Sequence, residues 1–227
     1  MPAAPSGPVP PEPARRDPST DSRYWPVLIA RAVPLLVLGA VITFSSDHSP
    51  RVGLLAFGAA ALVAGAIIAV GSALRLAHDP STRTIGVLQG AVGIVVGALA
   101  LVFSGGGLPV LVALVSGFAI VTGALELVTG LRRRRRSPLA RDWIGIGVIT
   151  LVLGAVFVAV PPDYSEQLGG IEKVSGELTS SIVLVGILGA YGALVGVFLV
   201  IAGLSLKWGT GHPPMAEERT TSGVSTS

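Results

Sequence analysis

The sequence predicts an all-α integral membrane protein with about six transmembrane helices. Of its 227 residues, 51% are hydrophobic and only 13% are charged, whereas a soluble domain usually carries about 25% charged residues. The apolar residues also fall into long runs, each close to the roughly 17–25 residues that a helix needs to cross the membrane. These runs lack the apolar–polar alternation of a barrel strand.

Six apolar runs in chain order are the predicted membrane helices. They occupy residues 26–44, 52–72, 85–103, 109–130, 143–161 and 181–206. Together they form a predicted transmembrane domain of residues 25–207.

Both ends of the chain are polar. Residues 1–24 and 208–227 are rich in Pro, Ser, Thr and charge, and cannot bury enough apolar area to fold. We therefore predict two disordered tails. The first tail has no apolar core of the kind that a signal peptide needs, so the first helix should be an uncleaved anchor.

The positive charges predict the orientation of the helices. Thirteen basic residues lie on the side that holds the N-terminus, against two, Arg51 and Lys173, on the other. The positive-inside rule then places both termini in the cytoplasm, with the helices in the inner membrane of a bacterium.

An internal repeat links the odd-numbered helices. Gly39-Ala40, Gly97-Ala98 and Gly154-Ala155 follow one another at spacings of 58 and 57 residues. The even-numbered helices carry a weaker echo at Gly65, Gly123 and Gly203. The chain is thus predicted to contain three tandem helical hairpins that all run in the same direction.

Glycines recur at helical spacing in the third and sixth helices, and each set lies on one face. Such smooth faces let membrane helices approach closely. We interpret them as packing surfaces within the chain; the alternative is the seam of a homo-oligomer. The residues are Gly86, Gly90, Gly93, Gly97, Gly189, Gly192 and Gly196.

No pattern predicts catalysis or a cofactor. The chain has no cysteine, and its three histidines, His48, His78 and His212, share no ligand spacing. The glycine-rich turn at residues 104–107 lacks the Lys-Ser/Thr of a phosphate loop. We expect neither an enzyme nor a bound metal.

Five consecutive arginines follow the fourth helix. They serve either as a topology signal or as a site for anionic lipid headgroups, at about 1 kcal/mol for each basic residue near the surface. We expect the lipid bilayer, and no nucleic acid, as their partner. The residues are Arg132, Arg133, Arg134, Arg135 and Arg136.

The last outer loop, residues 161–180, is enlarged and acidic. It contains one basic residue, Lys173, and four acidic residues, Asp163, Glu166, Glu172 and Glu177. We interpret it as a solvated connector; the alternative is a segment that senses pH or binds cations.

Two formal charges lie inside the apolar runs. Arg31 and Glu126 both lie about 7 Å below the cytoplasmic interface, at 1.5 Å per residue. Gln89 is at nearly the same depth and corresponds to Arg31 in the repeat. The sequence predicts either a structural pair, two independent side chains, or a buried polar cluster that binds a proton or an ion.

The repeats and the arginine-rich helix end together resemble the HdeD-type acid-resistance membrane protein family, over residues 26–206. The residues that carry the resemblance are Leu38-Gly39-Ala40, Val96-Gly97-Ala98, Leu153-Gly154-Ala155 and Gly123-Ala124-Leu125-Glu126-Leu127. The resemblance implies a small six-helix inner-membrane protein associated in some members with survival at low pH. The enlarged outer loop departs from the compact family pattern.

Two hypotheses of function follow. The first is a non-enzymatic, HdeD-like protein with a role in the envelope or in acid stress. The alternative is a small transporter or channel built around the intramembrane polar cluster.

Overall fold

A computed structural model of the protein describes residues 24–76, 80–135, 137, 139–161, 165–167 and 177–209. Within these ranges the six predicted helices are present, and each is long and apolar enough to cross a membrane. The prediction of a six-helix membrane protein is therefore confirmed. The helices are α1 Trp25–Phe44, α2 Pro50–Arg75, α3 Pro80–Val102, α4 Gly107–Arg133, α5 Ala140–Ala159 and α6 Ser180–Gly209.

Several helices extend beyond the apolar runs. α3 begins at Pro80 and α4 ends at Arg133, in both cases with polar residues in the added turn. A helix can continue into the headgroup region because its hydrogen bonds lie within the segment and do not depend on apolar side chains. The start of α2 is fixed locally, since Pro50 needs no N–H partner and the Ser49 hydroxyl accepts from the N–H of Val52 at 3.4 Å.

The helices pack most closely across the predicted hairpins rather than within them. The largest interfaces join α2 to α3, α4 to α5, and α6 to α1. The two helices of each hairpin, which an outer connection joins, pack less extensively against one another. The first and last helices therefore close a ring of three similar interfaces. The chain still runs as three hairpins, but the interfaces that hold the bundle together join each hairpin to the next.

Glycines allow the close approach of α2 and α3. A Cβ on Gly90 would lie 2.5 Å from the backbone nitrogen of Ala69 and from the carbonyl oxygen of Gly65. A Cβ on Gly97 would lie 2.6 Å from the backbone nitrogen of Leu62. Neither backbone can move away without separating the helices.

The other two interfaces use the same device. Between α4 and α5, a Cβ on Gly147 would lie 2.7 Å from the backbone nitrogen of Leu127. Between α6 and α1, a Cβ on Gly192 would lie 2.8 Å from the carbonyl oxygen of Leu35.

All seven glycines of the predicted packing faces lie against another helix of the same chain. In α3 they face α2, and in α6 they face α1. These glycines therefore serve packing within the chain, and a homo-oligomer would have to use another surface.

The connection after α5 contains a short two-stranded ribbon that the sequence analysis did not predict. β1 (Ser165–Gln167) pairs antiparallel with β2 (Glu177–Thr179), with Ser165 opposite Thr179. Most of the acidic 161–180 loop lies outside the described residues, and so do nearly all of both predicted tails.

Burial divides each helix into two faces. Leu54, Leu111 and Leu188 are fully buried between helices, whereas Val95 and Ile201 are more than half exposed on the outside. An apolar outer surface of this kind suits lipid tails, which make no demand for polar groups. Against this apolar background, the polar side chains inside the bundle stand out.

Candidate functional site

An ion pair joins α1 and α4 inside the bundle. Arg31 Nη1 donates to Glu126 Oε1 at 2.5 Å, with 12% of the Arg31 side chain and 2% of the Glu126 side chain exposed. A charge at such a position is tolerated when an opposite charge and hydrogen bonds compensate for lost water.

Gln89 completes the cluster from α3. Its amide nitrogen donates to the same carboxylate oxygen, Glu126 Oε1, at 2.8 Å. The structure thus brings together the three residues that the sequence placed at one depth. We call Arg31, Gln89 and Glu126 the polar cluster.

The helical rise and the repeat explain why these side chains lie at one depth. Arg31 and Gln89 occupy equivalent positions of the first two repeats, and the third equivalent is Ile146, which is fully buried. Equivalent positions on the odd helices therefore contribute a cation, an amide and an apolar side chain. Only α4 supplies the carboxylate that the first two share.

Two polar atoms of the cluster lack a hydrogen-bond partner among the described residues. They are Glu126 Oε2 and Arg31 Nε, both buried. An unsatisfied buried atom costs roughly 1–3 kcal/mol, and more when its group is charged.

A small cavity lies on the side of the polar cluster toward the N-terminus, which we call the inner cavity. Its volume is about 20 Å³, enough for about one or two water molecules. Hydroxyl groups and the three cluster residues make up much of its wall. The hydroxyl-bearing residues are Tyr24, Ser72, Thr82 and Thr129.

Tyr24 lies just before α1 and is 5% exposed. Its hydroxyl lies 3.4 Å from Ser72 Oγ, and its ring packs edge-on against Trp143 at 6.4 Å between centroids. Burial raises the pKa of the Tyr24 hydroxyl above its ordinary value, so the group stays protonated and can donate.

A second cavity, the outer cavity, lies on the other side of the cluster. Its volume is about 30 Å³, and Arg31 and Gln89 line it as well. Its remaining wall is mostly apolar, with Leu38, Phe57 and Phe118 among its members. The polar cluster therefore separates a cavity with many polar groups in its wall from a more apolar one.

Tyr191 and Thr150 form a polar contact that the sequence analysis missed. The Tyr191 hydroxyl lies 3.1 Å from Thr150 Oγ1, and Tyr191 lines the outer cavity. One signal was available, because Tyr191 is the single tyrosine inside a predicted membrane run. Thr150 carried no signal, since a threonine in a membrane helix commonly binds its own backbone.

Three other buried hydroxyls bind the backbone of their own helix. Thr122 and Thr129 donate to the carbonyls of Phe118 and Leu125, at 2.7 and 2.8 Å. Ser116 does the same with the carbonyl of Val112 at 2.6 Å. A hydroxyl held in this way donates its hydrogen to a carbonyl of the preceding helical turn.

The arginine run at the end of α4 divides into two kinds of residue. Arg132, Arg134 and Arg135 are exposed, whereas Arg133 is half-buried with its guanidinium 5.8 Å above the Trp143 ring. Arg136 lies outside the described residues.

A similar cation–π contact lies at the α6–α1 interface, where Lys207 Nζ of α6 lies 4.9 Å above the indole ring of Trp25 in α1.

The described residues contain no group of three His, Cys, Asp or Glu side chains that could hold a metal ion.

Comparison with known proteins identifies a similarity to a protein family. The family model DUF308, a short repeat of unknown function, matches residues 88–159; this family includes HdeD-like membrane proteins. The match runs from α3 to the end of α5 and contains both Gln89 and Glu126. No curated protein and no solved structure matches the chain.

Proposed function

We propose that this chain is a non-enzymatic, HdeD-like protein of a bacterial inner membrane that helps the cell envelope to withstand acid. The observation that carries the proposal is the buried polar cluster, in which the Glu126 carboxylate balances Arg31. The match of residues 88–159 to a family that includes HdeD-like proteins supports it.

The link to acid lies in the chemistry of the cluster. A proton on the Glu126 carboxylate removes the charge that balances Arg31, and a buried cation without its counter-ion is costly. The hydroxyls of Tyr24 and Tyr191 belong to residues that line the cavities on either side of the cluster. Such a loss of charge balance needs no catalysed reaction.

The test is survival of a bacterial strain at low external pH. The strain lacks its own copy of the gene and carries the wild type, Glu126→Gln or Ser116→Ala on a plasmid. Ser116 is buried in the same helix and binds only its own backbone, so Ser116→Ala is the matched control.

We expect Glu126→Gln to lose the survival advantage and Ser116→Ala to keep it, at equal amounts of protein in the membrane. Equal survival with Glu126→Gln and the wild type would contradict the role of the cluster. No advantage from the wild type itself would contradict the acid-stress role.

A specific observation favours a second candidate, a small transporter or channel. Two cavities lie on either side of the polar cluster along the inside of the bundle, as they would in a conduit that the cluster closes. Purified protein in liposomes would be tested for flux of protons and small polar solutes. Flux above that of empty liposomes supports this candidate, and its absence rules against it.

A further inference from the structure

The two ion-pair atoms that lack a hydrogen-bond partner have complementary chemistry. Glu126 Oε2 can only accept a hydrogen bond, and Arg31 Nε–H can only donate one. Neither atom has a partner in the parts of the chain that the structure describes, and both residues line the inner cavity. A ligand that donates to one atom and accepts from the other would satisfy both.

The charge and size of the site restrict that ligand. Glu126 and Arg31 already neutralise one another, so a bound ion would leave an unbalanced charge in a poorly solvated place. The cavity volume of about 20 Å³ admits only one or two molecules of the size of water. Both restrictions point to a small neutral molecule.

We propose that the inner cavity is a water site, in which one or two water molecules bind Glu126 Oε2 and Arg31 Nε and exchange with the N-terminal side only. The wall offers further partners in the hydroxyls of Tyr24 and Ser72, so a water there has several polar groups to bind. Buried waters typically make about three such hydrogen bonds.

Hydration stops at the polar cluster because the outer cavity beyond it is mostly apolar. Apart from Arg31, Gln89, Thr122 and Tyr191, its wall consists of apolar residues such as Leu38, Phe57 and Phe118. Arg31 and Gln89 already bind Glu126, and the Tyr191 hydroxyl lies beside Thr150 Oγ1, so few polar groups are left to hold a water molecule there. The polar cluster is therefore the deepest point that water reaches from the N-terminal side. This inference concerns the same residues as the proposed function but does not depend on a role in acid stress.

Two threonines of α4 provide a matched pair of probes. Thr129 lines the inner cavity and Thr122 the outer cavity. They lie two turns apart on one helix face, are both buried, and both donate to the carbonyl four residues before them. Because the chain has no cysteine, Thr129→Cys and Thr122→Cys each introduce a single thiol.

The probe is Ag⁺, which is close to water in size and binds a thiol by displacing its proton, so that the blocked site carries no added net charge. Full-length protein in sealed vesicles of each orientation would be exposed to Ag⁺, quenched, unfolded in detergent and labelled with a maleimide that reacts only with unblocked thiol. Ser81→Cys and Ser46→Cys, exposed at opposite ends of the bundle, report which side each vesicle preparation exposes.

We expect Ag⁺ to block Thr129→Cys from the side that reaches Ser81→Cys, and at least about tenfold faster than Thr122→Cys, because an ion is costly to place in an apolar cavity. The proposal is overturned if Ag⁺ blocks Thr129→Cys from both sides of the membrane, or if Ag⁺ blocks Thr129→Cys and Thr122→Cys at equal rates. Complete maleimide labelling without Ag⁺ verifies that each thiol is present. Acid survival is measured separately, so failure of the water site and failure of the proposed function are distinguishable.

Discussion

At the scale of single residues, the polar cluster depends on the Glu126 carboxylate for its hydrogen bonds and its charge balance. Glu126 is 2% exposed and receives hydrogen bonds from both Arg31 and Gln89. Removing its charge leaves Arg31 with an amide in place of a counter-ion, in a region where water reaches only a small cavity. Removing both charges should destabilise the protein less, since two neutral amides can bind one another.

The first prediction follows from that asymmetry. We expect Glu126→Gln to destabilise the protein by on the order of 3 kcal/mol, as for other buried pairs that lose one partner. The double variant Arg31→Gln with Glu126→Gln should be more stable than the single variant. Thermal unfolding in detergent measures both, with Ser116→Ala as control, and additive losses would show that the pair contributes no coupling.

At the scale of helices, the interfaces depend on positions where no side chain fits. Gly97 in α3 faces the backbone of α2 at Gly58 and Leu62, whereas Gly117 in α4 has open space around it. The two glycines are both inside membrane helices, so intrinsic helix propensity acts on them alike. Only the distance to the neighbouring helix differs.

The second prediction compares these glycines. Gly97→Ala should destabilise the fold by about 1–3 kcal/mol, because the added methyl group collides with backbone that must move. Gly117→Ala should be neutral or stabilising, since alanine is the better helix former by about 1 kcal/mol. Detergent melting curves of both variants test this, and an equal loss at the two sites would contradict the packing described for α2 and α3.

The third prediction concerns the arginines at the end of α4. Replacing the exposed Arg132, Arg134 and Arg135 with Gln should reduce the anionic lipid that co-purifies with the protein, because each is free to meet headgroups. Arg133→Gln alone should change lipid content little, since its guanidinium packs on Trp143. Mass spectrometry of the bound lipid measures the difference. Unchanged cardiolipin and phosphatidylglycerol in the triple variant would leave the run as a topology signal.

At the scale of the whole molecule, the six described helices place the start of α1 and the end of α6 at the same face of the bundle. α1, α3 and α5 run away from that side, and α2, α4 and α6 return to it. The excess of basic residues lies there as well, which is the arrangement that the positive-inside rule assigns to the cytoplasm.

The fourth prediction is this orientation. A reporter fused after residue 227 should be active in the cytoplasm, and a reporter inserted between residues 168 and 176 should be active outside it. Paired cytoplasmic and periplasmic reporters at each site provide the control. Activity of both fusion sites in the same compartment would be incompatible with six membrane helices.

The sequence by itself determined the number of helices, their approximate limits and the common depth of Arg31, Gln89 and Glu126. It could do so because a membrane helix satisfies its own backbone, so that length and hydropathy suffice to find it and the rise per residue sets depth.

Only the tertiary structure decided which helices are neighbours, for example that α6 packs against α1 and that Tyr191 meets Thr150. It also decided that two cavities, the outer one more apolar, flank the ion pair. The reason is physical. Lipid tails are as apolar as the helices, so association depends on the fit between surfaces rather than on the exclusion of water. A row of glycines therefore predicts that some helix will approach closely, but the identity of that helix depends on the shapes of all six.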